Sequence, residues 1–146
     1  MRKYELYLIE ESVALHYNGK ERLIYNLFFE HTNTKDSTLK AILKKQIDYI
    51  TRPIPVWKMQ QVLLMELQKK NWFQQKADGY YIKNDNLSNA MLSILNNCLH
   101  IKAEGYHDTE LVFFELLHKY EPNFLAIDVE NGRYGWLKPI KQRNFV

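Results

Sequence analysis

The chain of 146 residues has one cysteine, Cys98. That excludes an internal disulfide and a cage of thiolates around a metal. Glycine is nearly as scarce: the five glycines never fall in the pattern of a nucleotide-binding loop. No apolar run approaches the roughly eighteen residues a membrane span requires. The opening Met1-Arg2-Lys3-Tyr4-Glu5 lacks the apolar core of a signal peptide, so a cytoplasmic location is expected. The five histidines, His16, His31, His100, His107 and His118, form no His-x-x-x-His or His-Glu-x-x-His pair and offer no zinc spacing. His100 and His107 could meet across a bend, but structural or surface roles are expected of both.

Charge of one sign is also in short supply. The net charge is +3, too small to argue for nucleic acid by itself. Arg133, Lys138, Lys141 and Arg143 nevertheless give residues 133–146 a local +4 with no acidic residue, which leaves the remainder at −1. Such a tail can meet phosphate, an acidic protein surface or only solvent. One reading is a small nucleic-acid-binding module in which Tyr134 and Trp136 stack on bases between these cations.

Aromatic residues are plentiful: ten Tyr, seven Phe and three Trp in a chain that is 46% hydrophobic. Disorder through low hydrophobicity is therefore excluded. Residues 1–146 are expected to form a single domain, without linker or repeat. Residues 3–10 alternate as a strand, and a short helix over 10–17 is closed by Asn18-Gly19. Helices follow over 21–30, over 37–50 with Asp36 or Ser37 as cap, and over 56–70, the last two separated by Pro53 and Pro55. Residues 79–83 read as a strand, and 90–95 with 98–103 as a hairpin turning at Asn96-Asn97. Asp108 is expected to cap an apolar helix through 120. Strands over 124–129 and 134–137 then flank Asn131-Gly132. The pattern predicts an α/β (α+β) fold in which helices pack on a mixed, mostly antiparallel sheet.

The sequence carries no recognisable catalytic constellation. Cys98 beside Leu99 reads as a small hydrophobe, with no base to activate it. Asp108 and Glu110 suit a helix cap and first turn better than a catalytic pair. No enzyme activity, cofactor or metal is expected. Two surface oddities point instead to a partner. Val13 and Tyr17 are four residues apart on the short helix and share a face. They are either its docking face or, if Ala14 and Leu15 dock it, an outward anchor. Gln46 falls among Leu39, Leu43 and Ile50, within roughly 40° on the helical wheel. It is either a hydrogen-bonded amide inside the core or the mark of an open stripe that contacts a ligand or partner.

The segment Lys45-Gln46-Ile47-Asp48-Tyr49-Ile50-Thr51-Arg52-Pro53-Ile54-Pro55 resembles the K-Q-I-x-Y-I-T-x-P-I-P motif of the SirA family. The ending Arg133-Tyr134-Gly135-Trp136-Leu137-Lys138-Pro139-Ile140-Lys141-Gln142-Arg143-Asn144-Phe145-Val146 is similar to that family's R-Y-G-W-L-x-P-[VI]-K-x-R-N-F-V terminus. Tyr7-Leu8-Ile9 with Glu11, His16-Tyr17, Phe113-Phe114-Glu115 and Phe124-Leu125-Ala126 match in order. The resemblance covers essentially the whole chain and is weakest over residues 71–89. It implies an α/β-folded, non-enzymatic inhibitor that binds the N-terminal domain I of the initiator DnaA and blocks new rounds of replication at sporulation. Carried over, the contact residues are Val13, Tyr17 and Gln46, with Pro139 functionally sensitive. Val13 departs from the family, which has Phe there. Losing that ring removes several methylene equivalents of contact, each worth about 0.8 kcal/mol when buried, so the cognate partner has changed to match or Leu15 or another residue compensates.

Overall fold

The alternating N-terminal segment becomes strand β1 (Arg2–Ile9), and the pleat sends Leu6 and Leu8 to one side and Tyr7 and Ile9 to the other. The computed structural model describes residues 1–70, 72–84, 87–95 and 97–137. After β1 come α1 (Glu11–His16), α2 (Glu21–Asn33), α3 (Ser37–Ile50), β2 (Thr51–Arg52) and α4 (Val56–Leu67). The second half runs β3 (Phe73–Lys76), β4 (Gly79–Asn84), β5 (Ser88–Ile94), β6 (Leu99–Gly105), α5 (Asp108–Tyr120), β7 (Phe124–Asp128) and β8 (Arg133–Trp136). Among the described residues no helix is long and apolar enough to cross a membrane.

Among the described residues eight strands join one sheet in the order β3-β4-β5-β6-β1-β7-β8, with β2 paired to β1 off that path. A mixed, mostly antiparallel sheet is expected from the sequence; every described pairing is antiparallel. The α/β class is as read. Strand β1 bonds β6 through Arg2 to Leu6 along one edge and β7 through Glu5 to Leu8 along the other. Where β6 stops, β2 takes over, pairing Arg52 with Leu8 and Thr51 with Ile9.

Helices cover the two faces unequally. On one face α4 (Met59, Val62, Leu63, Leu67) and α5 (Phe113, Leu116, Leu117) pack over Leu6, Leu8, Leu92, Ile101 and Phe124. On the other, α1, α2 and α3 cover only the β1–β7–β8 end, where Ile24, Tyr25, Phe28 and Ile47 meet Ile9, Leu125 and Ile127. The rest of that second face carries the exposed or half-buried Lys3, Glu5, His100, Lys102 and Glu104.

Several boundaries move. Asp36 caps α3 as expected, accepting from the N–H groups of Thr38 and Leu39. Gly19 has a φ of +86°, the left-handed turn anticipated after α1. Residue 107, not Asp108, stands at the cap of α5. The Asp108 carboxylate instead accepts from Ser88 Oγ at 2.7 Å and Asn84 Nδ2 at 2.6 Å, bonds that hold it below the usual carboxylate range. Helix α4 ends at Leu67, short of residue 70, and strand β3 was not anticipated because Phe73-Gln74-Gln75-Lys76 has little apolar alternation. The α5 helix is less uniformly buried than its composition predicts, with Leu111, Val112 and Phe114 only partly covered. Leu95 N–H bonds the Cys98 carbonyl at 3.0 Å around the anticipated turn, of which Asn96 lies outside the described residues. Phe113 is completely buried between α5 and the sheet. Phe113→Ala is expected to cost about 3–5 kcal/mol by leaving a cavity there, measurable as a lower urea midpoint at unchanged slope.

Candidate protein-docking site

Helix α1 starts directly after β1, and its position follows from the backbone around it. Glu10 N–H donates to the Ile50 carbonyl at 2.8 Å, and the short β1–β2 pairing holds the exit of α3 beside the exit of β1. The start of α1 and the last turn of α3 are thus tied together. With six residues and none of them buried, α1 cannot hold its shape alone. It rests on the second-face cluster through Val13, Ala14 and Tyr17, alongside Ile47 and Ile50 of α3.

That arrangement corrects one expectation. Leu15 does not dock the helix; it is 73% exposed. Val13 and Tyr17 are the docking face, and both remain only half-buried, so each supports α1 and still offers an edge to solvent. Tyr17 is one residue beyond the helix as its C-cap, with its N–H on the Val13 carbonyl at 2.9 Å and its ring edge-on to His16.

Gln46 is exposed. Of its two sequence readings, the open stripe is the one observed. The neighbouring Leu43 and Ile47 turn inward, while Leu39, Ile42 and Tyr49 are exposed, Tyr49 to 82%. With Gln46 they lie within roughly 80° of helix circumference, a continuous apolar and amide ridge. Leu39, expected in the core stripe, belongs to this outer ridge. Ile42 and Tyr49 were not singled out from the sequence; their wheel angle relative to Gln46 was the available signal. Pro139, with Lys138, Lys141 and Arg143, lies outside the described residues.

The surroundings are basic. Lys44 pairs with Asp48 at 2.6 Å along α3, and Lys40 and Lys45 are exposed on the same helix. On α2, burial lowers the pKa of His31, and Lys40 and Lys44 lower it further. Elsewhere, Glu5, Cys98 and His100 bring their ligand atoms within 4.8 Å of one another on the open sheet face. No sequence spacing revealed that juxtaposition.

A family model described as sporulation inhibitor of replication protein SirA matches residues 2–141. The chain belongs to the SirA family. One relative, the sporulation inhibitor of replication protein SirA of Bacillus subtilis (strain 168), is 38% identical over 155 aligned positions that cover 99% of each chain. Membership places the chain among proteins named for inhibiting replication during sporulation.

For this SirA-family chain, the absence of any buried residue in α1 sets its dynamics. Its amides are expected to exchange through local opening well below the global unfolding free energy, ahead of those in α5. Hydrogen exchange resolved by residue measures this; equal protection in the two helices would show that α1 is part of the core.

Proposed function

We infer that this chain inhibits initiation of replication by stoichiometric binding to the N-terminal domain I of DnaA, acting as one domain and making or breaking no bond. The observation that carries this reading is the pairing of half-exposed Val13 and Tyr17 on α1 with the exposed ridge of Gln46, Ile42 and Tyr49 on α3, two elements joined at their ends by the Glu10–Ile50 bond. Tyr17 supplies a large ring with a polar tip, the residue type that dominates binding energy at such surfaces. Gln46 offers two donors and an acceptor at the centre of the ridge. Leu15 and Tyr49 are exposed and add apolar area on the same two helices. The lysines of α3 favour an acidic rim on the partner and so a faster encounter at low salt. Pro139 enters by resemblance alone.

The alternative of nucleic-acid binding through the C-terminal segment is weakened by internal commitments. Tyr134 stacks on Tyr25 with centroids 4.8 Å apart, Trp136 packs on the second-face cluster, and Arg133 bonds the Asp128 carboxylate at 2.8 Å.

Calorimetric titration of the chain into isolated DnaA domain I tests the reading. Tyr17→Ala and Gln46→Ala are each expected to weaken binding by at least about tenfold, about 1.4 kcal/mol, with native circular dichroism. Affinity unchanged in both variants would reject this site, and no heat with the unmodified chain would reject the partner.

A further inference from the structure

The open part of the second sheet face holds a cluster with no counterpart in the docking site. Glu5 on β1 stands directly opposite His100 on β6 in the antiparallel register. Cys98, two residues before His100, falls on the same side of the pleat. The carboxylate of Glu5, the thiol of Cys98 and the imidazole of His100 therefore converge from two strands, with all three ligand atoms within 4.8 Å of one another. His100 Nε2 lies 3.3 Å from Glu5 Oε2. Tyr7 falls on the same side of the pleat, two residues beyond Glu5. The Tyr7 ring is fixed against Phe28 of α2 at 4.4 Å between centroids. Glu5 and His100 also line a groove of about 540 Å³, so solvent reaches the cluster from one side.

We propose that Glu5, Cys98 and His100 form a binding site for a zinc ion, with water completing the coordination. One thiolate, one imidazole and one carboxylate are ligands zinc takes together, at about 2.3, 2.0 and 2.1 Å. Drawing the three atoms into a tetrahedron needs inward movement of roughly an ångström, within reach of the two half-exposed side chains Glu5 and His100. The strand scaffold fixes the remaining ligand, buried Cys98. Lys3 and Lys102 form the next rung of the same ladder, and their charges oppose any cation held by electrostatics alone. Hard ions such as magnesium and calcium are thereby disfavoured, and selectivity rests on the sulfur and nitrogen donors. In the ion-free chain, burial and the nearby Glu5 push the Cys98 thiol up to about 11. Coordination accordingly replaces the S–H proton by the metal and releases that proton to the buffer.

Binding of zinc chloride to the full chain is measured by calorimetry, with cobalt(II) as a coloured substitute. One ion per chain is expected, with a thiolate-to-cobalt charge-transfer band that disappears in Cys98→Ser. Because Cys98 is buried and its replacement can harm folding, the half-exposed His100→Gln and Glu5→Gln serve as independent variants. Each is expected to weaken zinc binding by at least the 10–100-fold typical of lost outer-sphere partners. No stoichiometric binding would overturn the site. Binding indifferent to His100→Gln and Glu5→Gln would overturn it equally, by assigning the ion to other histidines.

Discussion

Strand β1 is bonded along both edges and buried on both faces over its second half. Leu6 and Leu8 lie under α4 and α5, and Ile9 under α1, α2 and α3. Each hydrophobic layer requires the other, because neither face of β1 can be opened without exposing the strand that both share. The pleat enforces this: a one-residue slip would exchange Leu6 and Leu8 with Tyr7 and Ile9 across the sheet. Strand β7 repeats the condition, with all five of its residues buried. Together β1 and β7 form a spine, and the less covered β3–β6 strands extend from it as a one-sided sheet.

The proposed docking site takes its position from that spine. Helix α1 contributes no buried residue, so its placement comes from the tie at its start, where Glu10 follows β1 and bonds the exit of α3, and from the packing of Val13, Ala14 and Tyr17. A short helix held this way presents its outer edge at an angle set by the sheet. The α3 ridge is set by the same strand through β2. Two surface elements from different parts of the chain therefore share one rigid reference, the form of preorganisation that lowers the ordering cost of association.

How much of this was legible in the sequence follows from the range of each signal. Local signals held: Asp36 as cap, Gly19 as a left-handed turn, and the proline pair that separates α3 from α4. The α/β class followed from the order of periodic segments. Residue 108 misled because Asp is a strong cap former, yet its carboxylate is occupied by Ser88 and Asn84, which arrive only through tertiary folding. Leu39 and Leu15 misled for a related reason: helical spacing defines a face but not what lies opposite it. Gln46 was informative as a polar residue within an apolar stripe, and its exposure rules out the buried amide. Glu5, Cys98 and His100 were invisible because their proximity depends on the β1–β6 register over a sequence separation of more than ninety residues.

That register also explains why the cluster is found where it is. Strand β6 bonds β1 as far as Leu6, and β2 begins bonding at Leu8, so Tyr7 marks the joint between two partners on one edge. Such a joint lacks the continuous ladder found along β7, and side chains beside it must supply what the backbone does not. The Tyr7 ring lies on Phe28 of α2, at the border between the covered and the open part of the second face. The covered cluster and the polar group thus adjoin on one face of the sheet. A ligand bridging Glu5 and His100 would brace β1 against β6 immediately before the joint, only a few residues upstream of α1. Bracing at that point acts on the spine rather than on the binding edge, so it would bear on how firmly the docking surface is held and not on which groups it presents.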